Sequence, residues 1–443
     1  MSGATTPGSV FTKLGKVAER AKRDPLTRIL ALAHLLDVEL LKVAFGRLRK
    51  DAAVGIDGVT WEQYQARLDE NIRALHERMK AGRYRHQPIR RVHIPKEPGK
   101  TRPIGISTVE DKVVQTALAI VLGAIYEQDF LECSYGFRPR RSAHDALRAL
   151  DAAAMQGKAE WVLEADIQSF FDSLDRNELM EMLRQRVADE SFMRLVGKCL
   201  HVGILDGAQY SEPSEGTVQG STLSPLLGNV YLHHVLDAWF EREVKPRLRG
   251  RACLIRYADD FVIGFERRDD AERVMEVLGR RMGRYGLKLH PEKTRLLRFG
   301  RPSERQTGGK GPATFDFLGF TVLWRRTRKG FWALGLKTRK ARLLRAIRAI
   351  AEFCRRHRHD SVREQHAALG SRMRGHFNFF GVNGNYPSLE RLFRAARGLW
   401  FVWLRRRSQR TRLTWKRYEV LLGVLPLPKP RIKVQLWAGW NAP

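Results

Sequence analysis

Two adjacent carboxylates stand in Arg256-Tyr257-Ala258-Asp259-Asp260-Phe261-Val262-Ile263, between hydrophobic runs that read as strands. Side chains alternate faces along a strand, and two like charges held near a core repel unless a cation joins them. An Asp-Asp pair is also an ordinary hairpin turn. A third carboxylate, Asp166, follows the apolar run Trp161-Val162-Leu163-Glu164-Ala165. If that strand neighbours the hairpin, three carboxylates converge, a set that suits two Mg2+ ions about 3.5–4 Å apart. One ion would lower the pKa of an attacking hydroxyl, and the other would stabilise the leaving phosphate oxygen. Hard oxygen donors with no nearby Cys favour Mg2+ over zinc.

The elements that must position these groups follow from periodicity. A helix is expected from about Leu26 to Arg49, a second from Thr60 to Lys80, and then a basic hairpin, Arg91–Pro95 and Arg102–Ile106. Thr108-Val109-Glu110-Asp111 has capping-box spacing and opens a long helix with Val113, Val114, Ala117, Leu118 and Val121 on one face. Asp175 can cap a helix to about Val187. Gly216–Thr222 is a polar loop before a helix over Ser224–Phe240. With strands at Trp161–Ile167, Leu254–Tyr257, Phe261–Gly264 and Thr294–Phe299, the order β, α, β, β, α, β predicts a split βαβ sheet with helices on one face.

Charge divides the 443 residues unevenly. The chain carries +32, and from Arg325 onward 29 basic residues face five acidic ones, a net +24. Such a chain repels itself unless an anionic partner offsets the charge, and nucleic acid is the commonest. At 43% hydrophobic it can bury full cores, which excludes wholesale disorder. The four cysteines form no CxxC pair, which argues against a zinc ribbon or disulfide framework. With no apolar signal region or spanning segment, a soluble intracellular protein without membrane attachment is expected. Past Lys337 the pattern is helical, with Leu343, Ile347, Ile350 and Cys354 on one face and Arg345, Arg348, Arg355 and Arg356 opposite.

Tyr257-Ala258-Asp259-Asp260 resembles the catalytic box of reverse transcriptases, with Asp166 where their first metal-binding Asp stands. Further blocks match in order: Ser134-Tyr135-Gly136-Phe137-Arg138-Pro139, Glu215–Leu226, Gly286–Thr294 and Phe317-Leu318-Gly319-Phe320. Together they cover about residues 50–325 and are similar to the enzymes encoded by bacterial group II introns. Arg374–Val382, Arg406–Arg410 and Leu413-Thr414-Trp415 resemble that family's helical thumb, or maturase domain.

The resemblance implies an α/β right-hand polymerase: a basic arm (1–24), fingers and palm (25–325), an all-α basic thumb (326–424) and a Pro-rich tail (425–443). It implies an RNA-directed DNA polymerase in which Asp166, Asp259 and Asp260 hold two Mg2+ ions. Lys96 and Arg102 would meet the dNTP triphosphate, Phe171 would lie under the sugar and exclude a 2′-hydroxyl, and Gln219 would steady sugar and base. Solvated charges, core packing and an exposed loop Gln are the plain alternatives for these four. Arg345, Arg348, Arg355, Arg356, Arg405, Arg406, Arg407 and Arg410 would bind RNA phosphates, a solvated face being the plain alternative.

Implied partners are group II intron RNA in a ribonucleoprotein, a DNA target and primer, and dNTPs. Implied roles are splicing assistance and cDNA synthesis during retrohoming of a mobile element, in the cytoplasm and at the nucleoid. The pocket motif departs from the family at Val218 (usually Pro) and Ser221 (usually Gly), which implies altered nucleotide preference or rate. No Cys/His-rich endonuclease module is present, so a pre-existing primer or reverse splicing by the RNA is expected instead of DNA cleavage. Two rival readings stand: an RNA-binding splicing cofactor that needs no polymerase activity, and a relative recruited to DNA repair or phage defence.

Overall fold

A computed structural model describes residues 7–97, 100–156, 159–206, 209–211, 216–217, 220–302, 313–327, 330–408 and 413–436. In place of a flexible arm, helix α1 (Pro7–Arg23) begins the described chain and buries Val10, Leu14 and Ala21 in the main core. These residues recur at helical spacing inside a strongly basic segment, whose composition masks the periodicity. The expected helix from Leu26 is cut short. Ile29 N–H donates to the Arg186 carbonyl and Ala188 N–H donates to the Ile29 carbonyl, so the backbone is held as a β-bridge. The Asp189 carboxylate takes the N–H groups of Leu32 and Ala33. Helix α2 (Val38–Gly46) therefore starts later, with Asp37 as its cap.

Helices α3 (Trp61–Ala66) and α4 (Leu68–Lys80) lead to the hairpin of β1 (Ile89–Glu97) and β2 (Lys100–Ile106). Thr108 caps α5 (Val109–Tyr126) by accepting from Asp111 N–H. Next come α6 (Ala143–Met155), β3 (Trp161–Asp166), α7 (Arg176–Arg184), α8 (Glu190–Leu200), and β4 (Ile204–Asp206) with β5 (Gln209–Ser211). Asp175 caps α7 through the N–H groups of Asn177 and Glu178. Helix α9 (Ser224–Leu232) continues through two π-turns, His233–Asp237 and Phe240–Val244. After it stand β6 (Ala252–Tyr257), β7 (Asp260–Phe265), α10 (Arg268–Arg284) and β8 (Arg295–Arg298).

The palm is an antiparallel sheet in the order β6-β7-β3-β8. Leu163, Ala165, Phe261 and Ile263 face the main core with α7 and α10. Val162, Ile255 and Val262 face a second core, so the sheet is covered on both sides and not by helices alone. The second cover is α6 plus a sheet of β9 (Phe315–Phe317), β10 (Phe320–Arg326) and β11 (Trp332–Thr338). The expected thumb boundary at 325/326 thus falls inside β10. Fingers strands pair as β2-β1-β4-β5, with β1 parallel to β4.

The helical module is α11 (Lys340–Arg356), α12 (Val362–Phe380), α13 (Tyr386–Arg405) and α14 (Trp415–Val424), packed around a third core with Trp400 and Tyr418 buried. The tail is not loose where it is described. Leu427 enters the thumb core, Leu436 enters the palm-side core, and Val434 bridges Val382. Among the described residues no helix is long and apolar enough to cross a membrane.

One buried ion pair ties the palm together. Arg256 and Asp237, both fully buried, meet at 2.5 and 2.7 Å. Removing one partner of such a pair leaves an uncompensated buried charge, which costs about 3–5 kcal/mol. Arg256→Met is expected to lower unfolding free energy by that order in urea titrations, and Arg256→Met with Asp237→Leu to recover part of it. A loss under about 1 kcal/mol in the single variant would contradict this account.

Candidate active site

The two-residue turn Ala258-Asp259 joins β6 to β7, and the β3–β7 register sets Asp166 directly opposite Asp260. Directly opposed residues lie about 4.5–5.5 Å apart at Cα, so Asp166 and Asp260 flank one spot with Asp259 at the turn. Ala258 has φ +57°, a strained value for a residue with a Cβ. Its carbonyl accepts from Arg256 Nη1 at 3.0 Å, which holds the turn. Gly136 abuts it so closely that a Cβ there would stand 2.3 Å from Ala258 N.

The three carboxylates do different things. Asp166 Oδ2 accepts from Lys293 Nζ at 2.5 Å. Asp260 Oδ2 accepts from Leu318 N–H at 3.3 Å, in the β9–β10 turn. Burial pushes the Asp260 carboxyl up to about 7, and the charges of Asp259, Asp166 and Glu164 add to the effect. Burial raises Asp259 as well; the charge of Asp166 adds to this, while Arg102 and Arg256 offset it. Among the described residues no three His, Cys, Asp or Glu side chains form a ready-made cation cluster. In this arrangement Lys293 engages one oxygen of Asp166 and the Leu318 N–H one oxygen of Asp260.

The donor set nonetheless fits Mg2+. It offers hard carboxylate oxygens in a crowded negative patch, and one of them has already drawn a lysine ammonium. Mg2+ is commonly held by one or two carboxylates plus substrate phosphates, not by an all-protein cage. Asp166 and Asp259 can supply those two carboxylates, while Asp260 is engaged with the Leu318 turn.

Around this spot Gly216 and Thr217 are pinned to the loop after β3. Thr217 N–H donates to the Phe171 carbonyl at 2.6 Å, Gly216 N–H to the Leu174 carbonyl, and Arg176 Nε to the Gly216 carbonyl at 2.7 Å. Gly216 and Gly220 have φ +81° and +110°. A Cβ would stand 2.7 Å from the Asp172 carbonyl oxygen at the first and 2.4 Å from the Gly105 oxygen at the second. Gln219, between these anchors, lies outside the described residues. Phe171 is half-buried, its ring 5.1 Å from that of Phe170. Arg102 is exposed on β2, and its charge reaches both Asp259 and Asp172. Lys96 lies on β1, but its side chain is outside the described residues.

The thumb meets the site at the Leu318-Gly319 turn. Asp316 pairs with Arg339 at 2.9 Å, and Arg342 and Phe380 lie beside Gly319. Arg345, Arg348, Arg405 and Arg406 are exposed. Arg355 and Arg356 pair with Glu352, and Arg407 donates to the His359 carbonyl. Arg410 lies outside the described residues. Sequence reasoning missed Lys293, Arg256 and Arg91, which with Arg102 acts on Asp172. Lys293 belongs to the Gly286–Thr294 block, but no sequence signal pairs it with Asp166.

A family model described as reverse transcriptase (RNA-dependent DNA polymerase) matches residues 94–322. Protein YkfC of Escherichia coli K12 is 34% identical over 352 residues, covering 71% of this chain and 88% of YkfC. The group II intron-encoded protein LtrA of Lactococcus lactis is 33% identical over 247 residues, 54% of this chain and 41% of LtrA. A 91 kDa protein in the cob intron of Schizosaccharomyces pombe is 34% identical over 243 residues, 54% of this chain and 30% of that protein. The chain thus matches less than half the length of the two intron proteins.

Gly136→Ala is the sharpest steric test of the site. The added methyl meets backbone at Ala258 and Tyr257, so either the turn or the 134–138 loop must shift. Polymerase activity is expected to fall at least about tenfold with the protein still folded by circular dichroism, since misplacements near 1 Å can cost about 10²-fold. Wild-type activity in this variant would show that the contact does not position Asp259.

Proposed function

The chain belongs to the reverse transcriptases, and from that premise we propose that it binds a structured intron RNA, assists its splicing and copies it into cDNA during retrohoming. RNA-directed DNA polymerase activity is the family's property. The observation that best supports the finer reading is the strand register that sets Asp166 opposite Asp260, with Asp259 in the adjoining turn, beside a loop anchored on Phe171 and a strongly basic helical module on the same palm.

In this reading Asp166 and Asp259 hold two Mg2+ ions, which when bound lower the pKa of the primer 3′-hydroxyl and stabilise the leaving phosphate oxygen. Arg102 and Lys96 bind the triphosphate, where charge-assisted bonds to phosphate oxygens are strong. Phe171 lies under the sugar and rejects a 2′-hydroxyl, and Gln219 steadies sugar and base. Asp260 ties the catalytic turn to the Leu318-Gly319 turn, which carries the primer end. Exposed thumb arginines hold RNA phosphates.

Asp259→Asn should reduce primer extension on an RNA template roughly a thousandfold or more, equivalent to about 4 kcal/mol, with RNA affinity within about twofold of wild type. Asp260→Asn keeps an acceptor for Leu318 N–H and should fall less. Extension that survives Asp259→Asn would refute the metal assignment.

Replacing Arg345, Arg348, Arg405 and Arg406 by Gln should flatten the log–log salt dependence of RNA binding, by roughly 0.7–0.9 for each phosphate that is no longer neutralised. An unchanged slope would remove these residues from the RNA interface.

A further inference from the structure

Phe137 is a large apolar side chain 56% exposed at the edge of the catalytic turn. Its backbone sits at φ +57°, a conformation that is costly for a bulky residue and that persists where neighbours over-determine it.

The neighbours do so here. On one side, Tyr135 N–H donates to the Arg256 carbonyl, and Gly136 is wedged against Ala258 with its carbonyl accepting from Asn229 Nδ2 at 2.7 Å. On the other, Arg138 donates to Glu127, to the Leu131 carbonyl and to the Ser134 carbonyl, and lies over the Phe130 ring. Arg141 is fastened to Glu132 and stacks on Tyr135.

Between these pins the loop turns Phe137 and Arg140 outward. Arg140, exposed, is also at positive φ, +59°. The Phe137 ring leans towards Tyr257, with centroids 6.4 Å apart and planes tilted by 39°. Tyr257 is half-exposed and two residues from Asp259. Single exposed apolar residues are common and need no explanation. A strained one, clamped on both sides and set beside the reacting centre, with an exposed arginine three residues on, has the composition of a stacking platform.

We propose that Phe137 stacks on the π-face of a nucleobase in the bound primer–template, with Arg140 serving a neighbouring backbone phosphate. The platform rests on the polymerase reading above and adds to it a base-contacting residue outside the nucleotide pocket. Tyr257 shapes its inner edge. The base comes either from the primer 3′ end or from the template strand.

The test uses the full chain and RNA–DNA primer–templates carrying 2-aminopurine, in one duplex at the primer 3′ terminus and in another in the template near that end. Wild-type protein should change the fluorescence at one of the two positions, and that position identifies the strand. Phe137→Ala should abolish the change and weaken binding roughly 5- to 150-fold, the range one base–aromatic stack corresponds to. Phe137→Trp should restore both, with melting temperatures equal in all three proteins.

If Phe137→Ala leaves the fluorescence change and the affinity as in wild type, the proposal is overturned. If both readouts fall in Phe137→Ala and stay low in Phe137→Trp, the loss reflects the loop and the proposal is again overturned. Wild-type protein that shows the stack but extends no primer would overturn the polymerase reading and leave the platform standing.

Discussion

The guanidinium of Arg256 is the contact on which the site depends. It is fully buried, and its donors reach Asp237, Asn229, Ser134 and the Ala258 carbonyl. A planar fork with five N–H groups can satisfy these five acceptor atoms on four residues at once, which a lysine with three donors cannot. Three segments distant in sequence, the 134–138 loop, the helix through Asn229 and Asp237, and the β6–β7 hairpin, are thereby joined at one charge. Asn229 passes the constraint on, since its amide holds the Gly136 carbonyl that backs the turn. The strain at Ala258 is sustained by this arrangement.

Around that centre the molecule separates tasks by charge. In the palm and fingers several arginines are buried against internal acids, namely Arg186 with Asp129, Arg138 with Glu127 and Arg256 with Asp237. The thumb has few acids, and its surface pairs with Glu352 lie in solvent, where such pairs are worth little. Those cations lose little by exchanging a carboxylate for a phosphate. The thumb is nevertheless joined firmly to the palm, through the Asp316–Arg339 pair, the Phe380 contact at Gly319, and the chain from Leu427 to Leu436 that crosses from one core to the other. The basic helices and the Ala258-Asp259 turn are thus mechanically connected through Leu318.

Much of the fold is legible from the chain because local rules agree with the global answer. The fingers hairpin, the caps at Thr108 and Asp175, and the helices past Lys337 all form where pattern and capping chemistry indicate. The departures share one cause, an element whose partner lies elsewhere in the chain. In α1 a helical face is hidden by its basic composition until the main core receives it. At Ile29 a strand bridge takes backbone groups that a helix needs, and β11 forms because its partner β10 is available.

For the site the division is similar. Residue type and order singled out Asp166, Asp259 and Asp260 as candidate metal ligands, and the resemblance of their surrounding blocks supplied the expected chemistry, since an Asp-Asp pair by itself reads equally well as a hairpin turn. Only tertiary structure decided what each acid does: Lys293 lies 127 residues from the Asp166 it binds, and Leu318 lies 58 from Asp260. A side chain's charge is intrinsic to the residue, whereas its partner and its desolvation are properties of the packed chain.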